Sequence, residues 1–255
     1  MNNTRSVDTL RTCFDTSGIS PGTFLGLASS SAIEVAALAG CEWVLLDLEH
    51  GGGTLDQVGP SVQAANAAGV GLVVRVPKPE RSVIGWVLDQ GVAGVMLPRI
   101  ESAEEAREYA TYFDYPPTGQ RGVASYTRSA GWGSHSVRST ARGLCIVQIE
   151  TAGAMSELAE IAALEGIDSL FIGPLDLSFA LGVPEDMDNP VFTKAFAEVV
   201  HHARANTLPV GSLISDAGRI PFMQEHGIDY LALGSDALAL RRGLSEQVAA
   251  LTAGE

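Results

Sequence analysis

Two acidic residues stand where apolar runs end. Glu150 closes GLCIVQIE (143–150), and Asp176 lies two positions beyond SLFIGP (169–174). If both runs are neighbouring strands, about 4.8 Å apart, the two carboxylates can reach one cation. Two carboxylates, with water and substrate at the remaining positions, suit a hard octahedral ion such as Mg²⁺. Mn²⁺ or Co²⁺ fit the same set. No His or Cys accompanies them at the spacing of a closed zinc site. A third residue stands out in VVRVP (73–77). Its valines read as a strand buried on both faces, yet Arg75 sits among them. A buried guanidinium is costly unless anions meet it. A divalent ion and Arg75 facing one cavity suit an α-keto acid. Both would stabilise the enolate formed when a proton leaves C3 or a C–C bond breaks.

Each residue also has a plainer reading. Arg75 and Glu150 could be a structural ion pair. Asp176, just ahead of LSFALG, could be a helix cap. His50, after WVLLDLEHG (43–51), could be a loop donor. Arg99 is expected to join an ion pair at the mouth of the fold rather than to bind substrate. Cys41 and Cys145 read as small core residues. His201, His202 and His226 fall on helices facing solvent, and His135 lies in a loop. Taken together, the acidic pair at consecutive strand ends and the arginine on an earlier strand are harder to dismiss than any one of them.

The elements that would hold these residues alternate strictly. Strands are expected at 23–29, 43–51, 71–77, 93–100, 143–150, 169–174, 208–214 and 229–235. Helical patterns follow them, near 31–40, 55–68, 81–91, 102–113, 154–164, 191–206, 217–227 and 236–252. Ser102 followed by Glu105 is a capping-box spacing. The strands are too apolar to alternate, which means parallel strands covered by helices. Eight such units close most simply into a (β/α)₈ TIM barrel, with the active site at the carboxyl ends of the strands. There the second strand delivers Asp47, Glu49 and His50. The third delivers Arg75, the fourth Pro98 and Arg99, the fifth Gln148 and Glu150. The sixth ends at Gly173 and Pro174 ahead of Asp176, and the seventh carries Ser212 and Leu213. A doubly wound open sheet is the rival, but GLASSS after the first strand is not the glycine-rich dinucleotide turn. The stretch 114–136 is too long for a simple connection and is expected to be functional or mobile.

Composition limits the partners. A chain of 255 residues suits one barrel domain over 1–255. A net charge of −14 disfavours nucleic acid and anionic membrane, both of which need basic surface. Three cysteines without CxxC spacing argue against a disulfide framework, and MNNTRSVDTL lacks the apolar core of a signal peptide. A cytoplasmic protein is expected.

WVLLDLEHG, VVRVP, GVMLPRIESAEEA, YPPTGQRGVAS and VQIETAGA…IDSLFIGPLDLSFALG occur in the order that resembles the HpcH/HpaI aldolase/citrate lyase family, specifically its metal-dependent pyruvate aldolases. The similarity spans nearly the whole chain. It implies a (β/α)₈ barrel of the phosphoenolpyruvate/pyruvate type, commonly a hexamer built as a trimer of dimers, with the last helix often exchanged between subunits. By this resemblance Glu150 and Asp176 bind the metal, and Arg75 binds the keto oxygen and stabilises pyruvate enolate. His50 serves as general acid/base and Asp47 helps hold its loop. Asp89 matches a residue supplied across a subunit interface to orient His50. Gln148 lines the site, backbone around Gly173 and Pro174 holds the carboxylate, and Leu213 packs near the pyruvate methyl. Two features depart from the pattern: SYTRSAGWG (125–133) and the charge at Arg99. Both are expected to face the second substrate. The implied reaction is reversible cleavage of a 4-hydroxy-2-oxo acid to pyruvate and an aldehyde. Oxaloacetate decarboxylation, or another enolate condensation, remains open on the same residues. A non-catalytic keto-acid-binding barrel is disfavoured, because a binder needs no general base. A Schiff-base route lacks a lysine, since Lys78 lies beyond Pro77 and Lys194 falls on a helix.

Overall fold

The computed structural model describes residues 4–14 and 18–253. Eight parallel strands close a barrel in chain order: β1 (Ser20–Leu25), β2 (Trp43–Asp47), β3 (Gly71–Arg75), β4 (Gly94–Leu97), β5 (Leu144–Ile149), β6 (Ser169–Ile172), β7 (Val210–Ile214) and β8 (Tyr230–Ser235). β8 pairs back onto β1, so no edge is left open. The expected barrel is found and the open sheet is excluded.

The helices are α1 (Thr4–Phe14), α2 (Ser30–Leu38), α3 (Val58–Ala68), α4 (Arg81–Asp89), α5 (Ala103–Ala110), α6 (Ala152–Ser156), α7 (Leu158–Ala162), α8 (Pro174–Ala180), α9 (Pro190–Ala205), α10 (Ile220–Glu225) and α11 (Asp236–Thr252). Ser102 caps α5 by accepting from Glu105 N at 3.2 Å. The Glu105 carboxylate turns instead to Glu101 N, so the reciprocal half of the box is not made. The pattern over 154–164 breaks into α6 and α7 at Glu157. β1 begins at Ser20, ahead of the expected start, because Pro21 and Gly22 read as strand breakers yet sit on β1 in register with β8. Two helices escaped the sequence reading, α1 and the short α8.

Period-two alternation decides which side chains enter the barrel. Leu45, Val73, Met96, Ile146, Phe171 and Tyr230 form an inner cluster. Their chain neighbours Val44, Leu46, Leu72, Val74, Val95, Val147, Leu170 and Leu231 belong to an outer cluster packed under the helices. α1 closes the amino end: Val7, Leu10 and Phe14 join the inner cluster, and Phe14 stacks on Tyr230 with centroids 4.3 Å apart. The floor is therefore largely apolar and aromatic, with the Ser169 and Tyr230 hydroxyls bonded to each other at 2.8 Å, and the charged inward positions lie toward the carboxyl ends of the strands.

The long segment after α5 does not roof this mouth. It runs along α4: Arg81 Nε donates to Gln120 O at 2.8 Å, Arg121 Nη2 to Asp89 Oδ1 at 2.8 Å, and Ser129 N to Asp89 O at 3.0 Å. Its residues 125–133, expected to face the second substrate, lie on the flank of this chain's own barrel. No helix of the described residues is long and apolar enough to cross a membrane.

Candidate active site

Asp47 and Arg75 are register partners on β2 and β3 and share the inward parity. Arg75 Nε and Nη2 donate to Asp47 Oδ1 and Oδ2 at 2.9 and 2.7 Å, a bidentate pair with both side chains buried. Nη1 lies 3.2 Å from Glu49 Oε2 and donates to Gln148 Oε1 at 3.5 Å. The Phe24 ring lies 5.3 Å below the guanidinium carbon. The anions that meet Arg75 are thus Asp47 and Glu49. Glu150, the partner considered from sequence, acts on it from farther away.

Asp47 also organises the loop that follows β2. Its Oδ1 accepts from Glu49 N at 3.1 Å and His50 N at 3.3 Å. The chain then folds back so closely that a side chain at Gly51 would strike the Asp47 carbonyl. His50 is carried outward by this turn. Its side chain is 66% exposed, with Nε2 3.9 Å from Glu49 Oε1.

On the opposite wall, inward parity brings Gln148 and Glu150 from β5. Gln148 Nε2 donates to Glu150 Oε2, and Arg99 N donates to Glu150 Oε1 at 2.8 Å. Gly173, beyond β6, is pressed against both: a Cβ there would lie 2.6 Å from Glu150 Oε2 and 2.7 Å from Gln148 Nε2. Asp176 stands in the first turn of α8. A polar chain Asp47–Arg75–Gln148–Glu150 therefore crosses the mouth, with Glu49 and Asp176 beside it.

The charges in this cluster do not balance. Burial of Asp47 alone would raise its pKa, but the Arg75 hydrogen bonds and charge hold it below the usual carboxylate range. Glu49 is pushed up, first by burial, then by Asp47 and Asp176, against the pull of Arg75 and His50. Glu150 is pushed up to about 7, chiefly by burial, with Asp176 and Glu49 adding to it. Four carboxylates face one guanidinium, and Glu49 Oε2 is buried without a hydrogen bond among the described residues. That arrangement fits a divalent cation. Glu150 and Asp176 are the residues that would hold it, each an oxygen donor of the type Mg²⁺ prefers. A group of three or more His, Cys, Asp or Glu set to enclose a metal is absent among the described residues, so water or substrate would complete the shell.

Most of the residues singled out from sequence converge here, but two do not. Ser212 sits between Val210 and Ile214, both in the outer cluster, so its parity turns it away from the barrel interior. It is buried and its hydroxyl donates to Ile172 O at 3.2 Å, an interstrand role. Leu213, the next residue, is partly buried against the inner cluster. Asp89 ends α4, and a helix returning antiparallel to the strands leaves its last turn toward their amino ends, away from His50. Arg99 makes no ion pair among the described residues, contrary to the sequence expectation. Glu49, noted at a strand end without a role, enters the site. Its parity with Asp47 was the available signal.

The family model for HpcH/HpaI aldolase/citrate lyase matches residues 21–242. The chain belongs to this family. It is an enzyme of the aldolase type. The 2-keto-3-deoxy-L-rhamnonate aldolases of Klebsiella pneumoniae subsp. pneumoniae and Salmonella gallinarum are 33% and 32% identical to it over 232 residues, spanning 89% of this chain and 87% of theirs. The crystal structure of an HpcH/HpaI aldolase/citrate lyase family protein from Burkholderia cenocepacia J2315 matches with a TM-score of 0.89 at 30% identity, over 95% of this chain and 98% of that one. Membership in the family accounts for the barrel.

Proposed function

We propose that the protein is a metal-dependent aldolase that reversibly cleaves a 4-hydroxy-2-oxo acid into pyruvate and an aldehyde. The observation that carries this reading is the buried Arg75, fixed by Asp47 and Glu49 and facing the acidic pair Glu150 and Asp176. A divalent ion such as Mg²⁺, Mn²⁺ or Co²⁺, held by Glu150 and Asp176, would supply Lewis acidity toward the keto acid. Arg75 donates to the keto oxygen and holds the negative charge that develops there on cleavage. Because Asp47 fixes its Nε and Nη2, the guanidinium does so with little reorganisation. His50, exposed and tied to Asp47 by its backbone, accepts the C4 hydroxyl proton. The C3–C4 electron pair moves toward the keto group as the aldehyde leaves, and C3 is then protonated. Gln148 lines the pocket, backbone at Gly173 and Pro174 receives the substrate carboxylate, and Leu213 packs against the methyl. The relatives' name, an aldolase of a 2-keto-3-deoxy acid, supports this substrate class.

The position of Asp89 supports an assembly. It can orient a His50 only in a neighbouring subunit, as in a trimer-of-dimers hexamer. α11 supports the same view, since Leu240, Leu244, Val248 and Leu251 leave an apolar stripe exposed at helical spacing. In this reading the protein works in the cytoplasm on a small keto acid and an aldehyde.

The test is a screen of aldehydes with pyruvate, run with and without EDTA and with Mg²⁺, Mn²⁺ and Co²⁺ restored. Carbon–carbon bond formation that EDTA abolishes and a divalent ion restores is the expected result. Full activity in chelator-stripped enzyme, or pyruvate trapped by borohydride as a lysine adduct, refutes the reading.

A further inference from the structure

The loop that carries His50 is held on two sides, and only the inner side belongs to the cluster described above. Inside, Asp47 accepts from Glu49 N and His50 N. Outside, the loop lies against the segment between β1 and α2. Gly52 N donates to Gly26 O at 2.8 Å. A Cβ on Gly53 would lie 2.7 Å from the Ala28 Cβ, so the two segments touch with no room for a side chain. Ala28 itself has a φ of +53°, in the left-handed region that alanine seldom adopts. Such geometry persists only where the surroundings over-determine it.

Part of those surroundings comes from the other end of the chain. Asp236 opens α11, directly after β8. The side-chain cap of that helix is already supplied by Ser235, whose hydroxyl accepts from Leu238 N at 3.3 Å. The Asp236 carboxylate reaches across to the β1–α2 segment. Its Oδ1 accepts from Gly26 N at 2.8 Å, and Leu27 N donates to Oδ1 and Oδ2 at 3.3 Å each. The peptide unit joining Gly26 to Leu27 is the connecting piece. It is planar, with its N–H and its carbonyl pointing opposite ways. The N–H goes to Asp236 and the carbonyl goes to Gly52, so fixing one orients the other. In such a chain each bond also polarises the next.

We propose that Asp236 is a positioning residue for His50: through the Gly26–Leu27 peptide it fixes the outer side of the loop after β2, and with it the place from which His50 meets the substrate hydroxyl. This rests on the aldolase reading and extends the machinery of that reading to the first residue of the last helix. Arg75, Glu150 and Asp176 are reached by none of these bonds, so the enolate end of the site does not depend on Asp236.

The test uses two reactions that share the enolate and differ in their need for His50. Condensation of pyruvate with glycolaldehyde forms a C–C bond and places a proton on the new hydroxyl, the step assigned to His50. Oxaloacetate instead loses CO₂ to leave the same enolate, which then takes a proton at C3, and no hydroxyl proton moves. Both are measured on Mg²⁺-loaded enzyme, and hydrogen exchange at the Gly52 amide is followed alongside by mass spectrometry. Misplacing a reacting group by about 1 Å costs on the order of 10²-fold, and Asp47 still holds the inner side, so Asp236→Ala is expected to lower kcat for condensation at least tenfold. KM for pyruvate and the rate of decarboxylation stay within twofold of wild type, while exchange at Gly52 rises at least tenfold. Asp236→Asn keeps Oδ1 as an acceptor and recovers most of both effects. Ser235→Ala removes the cap of α11 but not the link to Gly26, and leaves condensation and Gly52 exchange at wild-type values. Condensation unchanged in Asp236→Ala, a loss shared equally by the two reactions, an equal loss in Ser235→Ala, or unchanged Gly52 exchange overturns the proposal. If Gly52 exchange rises in Asp236→Ala alone while no protein, wild type included, condenses the aldehyde, Asp236 keeps its hold on the loop and the aldolase reading falls.

Discussion

Substituting Asn for Asp47 removes one charge from the centre of the site while keeping its shape. The carboxylate accepts four hydrogen bonds: two from Arg75, one from Glu49 N and one from His50 N. An amide can offer one oxygen to these donors, and its NH₂ must then face a donor. Arg75 stays buried, with Glu49 Oε2 at 3.2 Å as its remaining anion. Breaking a buried pair from one side costs about 3–5 kcal/mol. Because Glu49 persists, the expected loss is near the lower end, about 3 kcal/mol. At about 2–4 °C per kcal/mol for a chain of this size, Tm falls by about 6–12 °C. Arg75→Met alone strands Asp47 and Glu49 and costs a similar amount. The double variant Asp47→Asn/Arg75→Met removes both charges, so it should lose less than the sum of the singles, by about 2 kcal/mol. Urea unfolding followed by circular dichroism measures all four proteins. Protein concentration is held constant, because association would otherwise shift the apparent stability. Losses that add to within about 0.5 kcal/mol would refute the pairing as the element that holds Arg75 in place.

Two further predictions concern the same site. Gly173→Ala places a methyl 2.6 Å from Glu150 Oε2 and 2.7 Å from Gln148 Nε2. Both side chains must move, so Mg²⁺ affinity measured by calorimetry should fall about 10–100-fold, as when groups that orient metal ligands are altered; unchanged affinity would show that Glu150 does not hold the ion. The second is acid stability. Asp47 has a folded-state pKa below its unfolded value of about 3.9. Between those two values the unfolded chain binds more protons, so the contribution of Asp47 is complete above about pH 4 and is lost as pH falls through the lowered value. Acid titration of unfolding should therefore be steeper for wild type than for Asp47→Asn below about pH 4, and parallel curves would contradict the assignment.

The order of elements was readable along the chain because parallel strands buried on both faces appear as apolar runs, and each is followed by a helical pattern. The acidic and basic residues at the ends of those runs were readable for the same reason. A fold that places every strand end at one mouth converts separate polar residues into one cluster. What escaped was local. α1 carries Val7, Leu10 and Phe14 at helical spacing, but no neighbouring strand made that pattern stand out. Ser212 was assigned to the cavity by position alone, and one residue of parity was enough to turn it onto Ile172 instead.

Residue type and strand order determined that Arg75 would be buried and would need anions. Which anions it meets is a matter of register. Asp47 lies opposite Arg75 on the adjacent strand, whereas Glu150 is two strands farther around the barrel. The acidic excess that raises Glu150, the placement of Asp89 at the far end of α4 and the unpartnered Arg99 likewise depend on distances between segments remote in sequence. Barrel closure sets those distances. A one-dimensional pattern can name the groups that face inward, but electrostatic pairing depends on separations of a few ångströms, and these exist only once the chain has closed on itself.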